Sequence, residues 1–271
     1  MRENGGGKGY APAMADAAVT MLRWDAAGAT DRGRVRRRNE DAILVRPERR
    51  LFAVADGMGG HAAGNVASAV AVETLERAFP RAPSPRIGAP ALASRINDAI
   101  SLANQAILDR SAAHAAEAGM GTTVTVLSPL RADAACVIGH VGDSRAYRLR
   151  SEGTGEGFMQ ITRDHTWVQQ QVDAGALDAL QARAHPWSSI LTRVLGMEQL
   201  GPADIHVIDV RPGDIFLLCS DGLTGMVADD EIAALLSGSG TPAGICAQLI
   251  AAANRNGGRD NISVIVLRAS L

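Results

Sequence analysis

At 271 residues the chain can form one large domain or two small ones. Hydrophobic residues make up 46% and aromatics only 3%, so a sizeable core must be built from Ala, Val, Leu and Ile. A formal net charge of -2 gives no electrostatic case for nucleic acid, and no apolar stretch is long enough for a membrane span or a signal core. Cys136, Cys219 and Cys246 are isolated, without CxxC spacing, and two of them lie inside apolar runs. They read as small buried hydrophobes in a reducing compartment, so the expectation is a soluble, cytoplasmic protein.

Residues 1–20 are rich in Gly and Ala without periodicity and read as a disordered tail, with order beginning near Met21. The run LFAVADGMGGH (51–61) holds a buried strand closed by Asp56-Gly57 and a Gly-rich turn. From Asn65 to Phe79, Val72, Leu75 and Phe79 share one helical face. The stretch 80–90 carries four prolines and reads as a loop. A long helix follows, with Leu92, Ile96, Ala99, Ile100, Ala103 and Ile107 in one stripe. Two strands are then predicted over Thr122–Leu127 and Ala134–Val141. GDSR (142–145) is predicted to join the second, as a hairpin, to a short strand Ala146–Arg150, and SEGTGEG (151–157) to be a surface turn. Residues 162–200 hold Trp167 and Trp187 and no strand alternation, and read as an inserted lobe. IFLLCSDG (215–222) is a further buried strand. Asp229, Asp230 and Glu231 load the first turn of a short helix, where their charge suits its dipole. Thr241-Pro242 caps the next helix, and the chain closes on the strand Ile262–Leu267. Strands and helices are grouped rather than alternating, which favours an antiparallel α+β architecture.

The chemistry resides in carboxylates. Asp56, Asp221 and Asp260 each flank a buried strand, which is costly unless something compensates the charge. Carboxylates converging at strand ends are a common way to hold a hard divalent cation. Each motif alone has a plainer reading. Asp-Gly often makes a tight turn, GDSR could be only a turn, and the basic TDRGRVRRRNEDA (30–42) could be a solvated surface turn. The glycines of ADGMGGHAAG (55–64) exceed what a hairpin needs and let backbone approach an ion closely.

Taken together and in order, NEDA, ADGMGGH, GDSRAY, SDGL and GRDNIS resemble the metal-dependent serine/threonine protein phosphatases of type 2C, the PPM family, in their compact bacterial form. The resemblance runs from about Met21 to Leu271, which would make 21–271 the catalytic domain, and TRDHTWVQQQVDAGAL and HPWSSILTRVLG look like the family's flap, within 162–200. It implies a four-layer α-β-β-α sandwich of two antiparallel sheets flanked by antiparallel helices. It implies two Mn2+ or Mg2+ ions per chain, with a third, weaker site. By position, Asp56 would bridge the two metals, Gly57 would offer its carbonyl, and Asp221 and Asp260 would complete the first site. Glu40 and Asp41 would act through waters, and Asp143 with Asp221 would hold the third ion. Arg36 would bind the substrate phosphate, and His61 would protonate the leaving group. Water held at the binuclear centre would attack phosphorus in line, without a phosphoenzyme. The implied partners are phosphorylated Ser/Thr proteins and the bacterial kinase that makes them, with no nucleic acid and no membrane; a monomer is the default. Ser189 stands where the family commonly has Asn, which bears on specificity.

Three other readings compete. A non-catalytic family member would usually lack metal carboxylates, yet Asp56, Asp143, Asp221 and Asp260 are all present. A partner-switching phosphatase is normally joined to a sensor domain, for which residues 1–20 are short. A Cys-based phosphatase needs a nucleophile in a phosphate loop followed by Arg, and neither Cys136 nor Cys219 has that context.

Overall fold

The computed structural model describes residues 22–59, 63–81, 87–131, 134–150 and 157–271. In chain order the elements are β1 (Arg23–Asp31), β2 (Asp41–Arg46), β3 (Leu51–Met58), α1 (Gly64–Ala78), α2 (Ala89–Ala113), β4 (Gly121–Thr122), β5 (Val124–Pro129), β6 (Ala135–Val141) and β7 (Arg145–Leu149). They continue as β8 (Phe158–Gln160), α3 (Trp167–Asp173), α4 (Ala179–Ala184), β9 (Asp204–Asp209), β10 (Ile215–Cys219), α5 (Asp221–Thr224), α6 (Asp229–Leu236), α7 (Pro242–Arg255) and β11 (Ile262–Ser270). One sheet runs β1-β11-β10-β7-β8 and the other β2-β3-β5-β6-β9, with β4 pairing β3.

Alternation along the strands builds the layers. On β3, Leu51, Ala53 and Ala55 pack with α1 and α2, while Phe52 and Val54 face the other sheet. On β10, Ile215, Leu217 and Cys219 join the cluster under α7, while Phe216 and Leu218 enter the layer between the sheets. Both faces of these strands are buried, which is why their sequences read as unbroken apolar runs. The four-layer α-β-β-α sandwich is therefore present, with one core under each helical layer and one between the sheets.

Several elements depart from the sequence reading. The predicted hairpin across GDSR does not form: β6 and β7 belong to different sheets. Gly142, at φ +112°, lets the chain turn, and Ser144 is held inside by its 2.7 Å hydroxyl contact with Thr123. The segment is a buried crossing from sheet to sheet. The strand predicted over 122–127 is divided, because Gly121–Thr122 pairs with β3 at Gly57 and Met58 before β5 begins. The 162–200 lobe is less separate than its composition suggests: Leu195 and Leu200 belong to the core under α1 and α2. Trp187 is exposed and stands edge-on to Trp167 at 4.9 Å, with His185 against both, so the two tryptophans pack the lobe. Strands β1, β2, β8 and β9 have no counterpart in the sequence reading. Residues 151–156 of the predicted turn, residues 82–86 of the predicted loop and the tail 1–20 lie outside the described residues.

Candidate active site

The strand registers bring the acidic residues to one end of the sandwich. Asp41 pairs with Asp56 across β2 and β3. At the same end, Val124 pairs with Val141 just before Asp143, Cys219 pairs with Arg145 just after it, and Asp31 pairs with Ile262 just after Asp260. Asp221 opens α5 immediately beyond β10.

Parity decides where each side chain points. Two residues beyond Val54 on the inter-sheet face lies Asp56, and two beyond Leu218 lies Ser220. Ile265 gives way in the same manner to Ser263, Leu127 to Thr125, Ile138 to His140 and Ala146 to Ser144. The layer between the sheets thus changes from apolar to polar over one strand period. Its polar end is cross-linked: Ser220 donates to Asp41 at 2.9 Å, and the Thr30 and Ser263 hydroxyls meet at 2.7 Å, as do those of Thr123 and Ser144. Gly57 has the opposite parity and faces α1. A Cβ there would lie 2.1 Å from the Gly64 carbonyl oxygen, so only glycine lets α1 begin against this strand.

The electrostatics are those of crowded negative charge. Desolvation and then Asp41, Asp221 and Asp143 push the Asp56 carboxyl well above its ordinary range. Desolvation and then Asp221 and Asp164 do the same to buried Asp143. Asp221 is raised by desolvation and by Asp260, and Asp41 is raised to about 6, chiefly by desolvation. The buried Oδ1 of Asp41 has no hydrogen-bond partner. Among the described residues, however, no group of three or more His, Cys, Asp or Glu side chains converges as a finished cation cage. The carboxylates form a wider cluster. Its all-oxygen donor set and the orphaned Asp41 oxygen fit a hard divalent cation.

Arg36 and Asp260 were assigned separate duties by the sequence reading, and the structure pairs them at 2.6 Å. That hydrogen bond holds the half-exposed Arg36 guanidinium above its usual pKa. Glu40 lies beside the start of α1, its Oε2 2.6 Å from where a Gly64 Cβ would stand. Its carbonyl accepts from Gly57 N–H and from the Ser68 hydroxyl. His61 lies outside the described residues. Desolvation pushes the Cys219 thiol up to about 12 and the Cys246 thiol up to about 11, and raises that of Cys136, so none is a poised nucleophile.

Two residues central to the site escaped the sequence reading. Asn261 donates from Nδ2 to the carbonyls of Arg32 (2.9 Å) and Arg38 (2.8 Å) and accepts from Glu40 N–H (2.8 Å), stapling 32–40 to the start of β11. The signal was its place beside Asp260 in GRDNIS, where an amide offers both donors and an acceptor. The His165 ring Nδ1 accepts from Gly142 N–H at 3.0 Å, and the His165 backbone N–H donates to Gly142 O at 2.7 Å. Next to it, Asp164 receives a bidentate grip from Arg145. The base of the 162–200 lobe is thereby tied to the turn that carries Asp143.

The protein phosphatase 2C family model matches residues 30–241. The serine/threonine phosphatase stp of Listeria monocytogenes is 36% identical over 245 residues, covering 89% of this chain and 94% of that protein. PstP, a serine/threonine protein phosphatase of Mycobacterium tuberculosis, is 39% identical over 251 residues, covering 92% of this chain and 46% of PstP. A solved structure of the PstP catalytic domain in complex with two manganese ions superposes with a TM-score of 0.78 at 35% identity, over 93% of this chain and 99% of that one. An acid-lined sandwich end on a four-layer α-β-β-α fold, matched in sequence along most of its length, defines a phosphatase class. The chain belongs to the protein phosphatase 2C family, in its bacterial form, and is a protein phosphatase.

Proposed function

We propose that the chain hydrolyses phosphoserine and phosphothreonine in proteins in a metal-dependent reaction, reversing a bacterial serine/threonine kinase. The observation that carries this reading is the set Asp41, Asp56, Asp143 and Asp221, each raised by desolvation and by carboxylate neighbours at one end of the sandwich. Such mutual perturbation marks a site that takes up positive charge.

Asp56, Asp221, Asp260 and the Gly57 carbonyl would hold two Mn2+ or Mg2+ ions, Glu40 and Asp41 would act through waters, and Asp143 with Asp221 would take a weaker third. Bound there, such cations would lower the pKa of a water and draw charge from a phosphoryl group. Arg36 binds and orients the phosphate. Asp260 engages one end of its guanidinium and its half-exposed position leaves other donors free, in a planar fork that suits phosphate oxygens. The Arg145–Asp164 pair and His165 hold the Asp143 turn against the lobe. A seryl or threonyl alkoxide leaves poorly without a proton, and His61 is our candidate donor on its sequence position.

The test is turnover of a phosphothreonine peptide with Mn2+, with Mg2+ and with chelator, on wild type and Asp56→Asn. Turnover that needs the cation and vanishes in a folded Asp56→Asn variant is expected. Full activity of that variant would overturn the assignment.

A further inference from the structure

Arg32, Arg34, Arg36, Arg37 and Arg38 place five guanidinium groups within seven residues of a chain whose net charge is -2. All five residues are exposed. Elsewhere Arg46, Arg110, Arg145, Arg150 and Arg193 each face a carboxylate. In this segment Arg36 alone does, through Asp260; among the described residues Arg37 and Arg38 have no carboxylate within ion-pair distance. Like charges at this density repel one another, and an anion bound among them would offset that cost.

The segment is also fixed in place. Asn261 holds the carbonyls of Arg32 and Arg38, Arg34 N–H donates to Gly258 O at 2.7 Å, and Gly33 N–H donates to Asp31 Oδ1 at 2.8 Å. Arg36, Arg37, Arg38, Glu40 and Asn261 line one cleft of about 240 Å³. The proposed phosphate-binding arginine therefore shares this cleft with two arginines that, among the described residues, have no carboxylate partner. A solvated basic turn explains exposure, but not a stapled backbone that sets these residues along a cleft shared with Arg36.

We infer that Arg37 and Arg38 form a specificity subsite for a second anionic group on the substrate, close in sequence to the phosphorylated residue. The shared chemistry is a pair of neighbouring anionic oxygens, supplied by an Asp or Glu carboxylate or by a second phosphoryl group; arginine forks suit both. The inference rests on the phosphatase reading above and names the substrate class for that site.

Phosphothreonine peptides flanked by Ala, Lys, Glu or a second phosphothreonine separate the cases. On wild type with Mn2+, kcat/KM is expected to rise about fivefold from Ala to Glu flanks and about tenfold for the doubly phosphorylated peptide. Two exposed charge pairs support gains of that order, carried by KM and shrinking as salt is raised. In the double variant Arg37→Gln, Arg38→Gln the spread should fall below twofold, with the Ala-flanked peptide turned over as before. The same peptides, titrated against Asp56→Asn protein by fluorescence anisotropy, should show the same order of affinity without any turnover. Equal treatment of all four peptides, or a preference that survives in the double variant, would overturn the subsite. Absence of turnover on every peptide, with ordered affinities retained, would overturn the phosphatase reading and leave the subsite standing.

Discussion

Replacing Asn261 with alanine should cost about 2 kcal/mol of stability and disable the site together. The side chain makes three hydrogen bonds to residues more than 220 positions away in sequence, at 2.8 to 2.9 Å. A typical intramolecular bond contributes about 1 kcal/mol net, and a buried group left without a partner costs about 1–3 kcal/mol. Arg32 and Arg38 are exposed, so water can recover their carbonyls, while the Glu40 N–H is only partly accessible. Two discounted bonds and one full loss give the figure of about 2 kcal/mol, a substantial share of the roughly 5–15 kcal/mol that holds a domain together. The free segment would carry Arg36 and Glu40 with it, so kcat/KM should fall by more than tenfold in conditions where the variant remains folded. Asn261→Asp should be worse, because a carboxylate would face two carbonyl oxygens in place of the amide donors. Urea denaturation gives the stability, and steady-state turnover below the transition gives the activity. An alanine variant within 0.5 kcal/mol of wild type with normal kcat/KM would refute the staple, and so would an aspartate variant that outperforms alanine.

Asp41 gives a linked prediction in pH and cation. Its folded pKa, about 6, lies above its unfolded value, so stability is fully present below about pH 4 and is lost as pH rises through 6. In chelator, wild type should melt lower at pH 7.5 than at pH 5, Asp41→Asn should flatten that slope, and saturating Mn2+ should raise the melting temperature at pH 7.5; an unchanged slope in the variant would reject the assignment. For His165, Asn offers an acceptor near the Nδ1 position and should keep most activity. Gln reaches toward Asp204 and away from Gly142, and should lower kcat about tenfold at similar stability, so identical kinetics for the two variants would refute the positioning role. Arg150 grips the buried Asp214 through two bonds of 2.8 and 2.7 Å. Arg150→Ala strands that charge and should cost about 3–5 kcal/mol by urea denaturation, with much of the loss recovered when Asp214→Ala is added; additivity of the two losses would contradict the pairing.

What could be read in the sequence follows from where each residue finds its partners. Strands β3, β10 and β11 announce themselves because both their faces are buried, leaving uninterrupted apolar runs. Strands β1 and β9 lie at sheet edges with mostly half-exposed residues, and segments such as WDAAGATD carry too little apolar signal to stand out. The GDSR segment misled because turn chemistry is local, while the choice between hairpin and sheet crossing depends on what receives the buried Asp143 and Ser144. Within the site, the carboxylates were legible as charge beside apolar runs. Asn261 and His165 were not, since their roles consist of hydrogen bonds to backbone groups that the sequence places far away. The Arg36–Asp260 pair spans 224 positions and has no sequence signature at all.

The site and the core are specified by one pattern. Side chains alternate strictly along a strand, so a slip of one residue between β2 and β3 would exchange every inward and outward position. Phe52 and Val54 would then leave the inter-sheet layer, and Asp56 would turn toward α1 while Gly57 faced the seam. The apolar content that fixes the register, Phe52 and Val54 inside with Ala53 and Ala55 against the helices, therefore also fixes Asp56 opposite Asp41. The same logic holds on the facing sheet, where Phe216 and Leu218 determine the placement of Ser220, and Leu267 and Ile265 that of Ser263. A carboxylate cluster whose members repel one another cannot assemble itself. Here the free energy of burying the three apolar layers holds those carboxylates together, which leaves the acidic end free to be tuned for charge without also having to specify the fold.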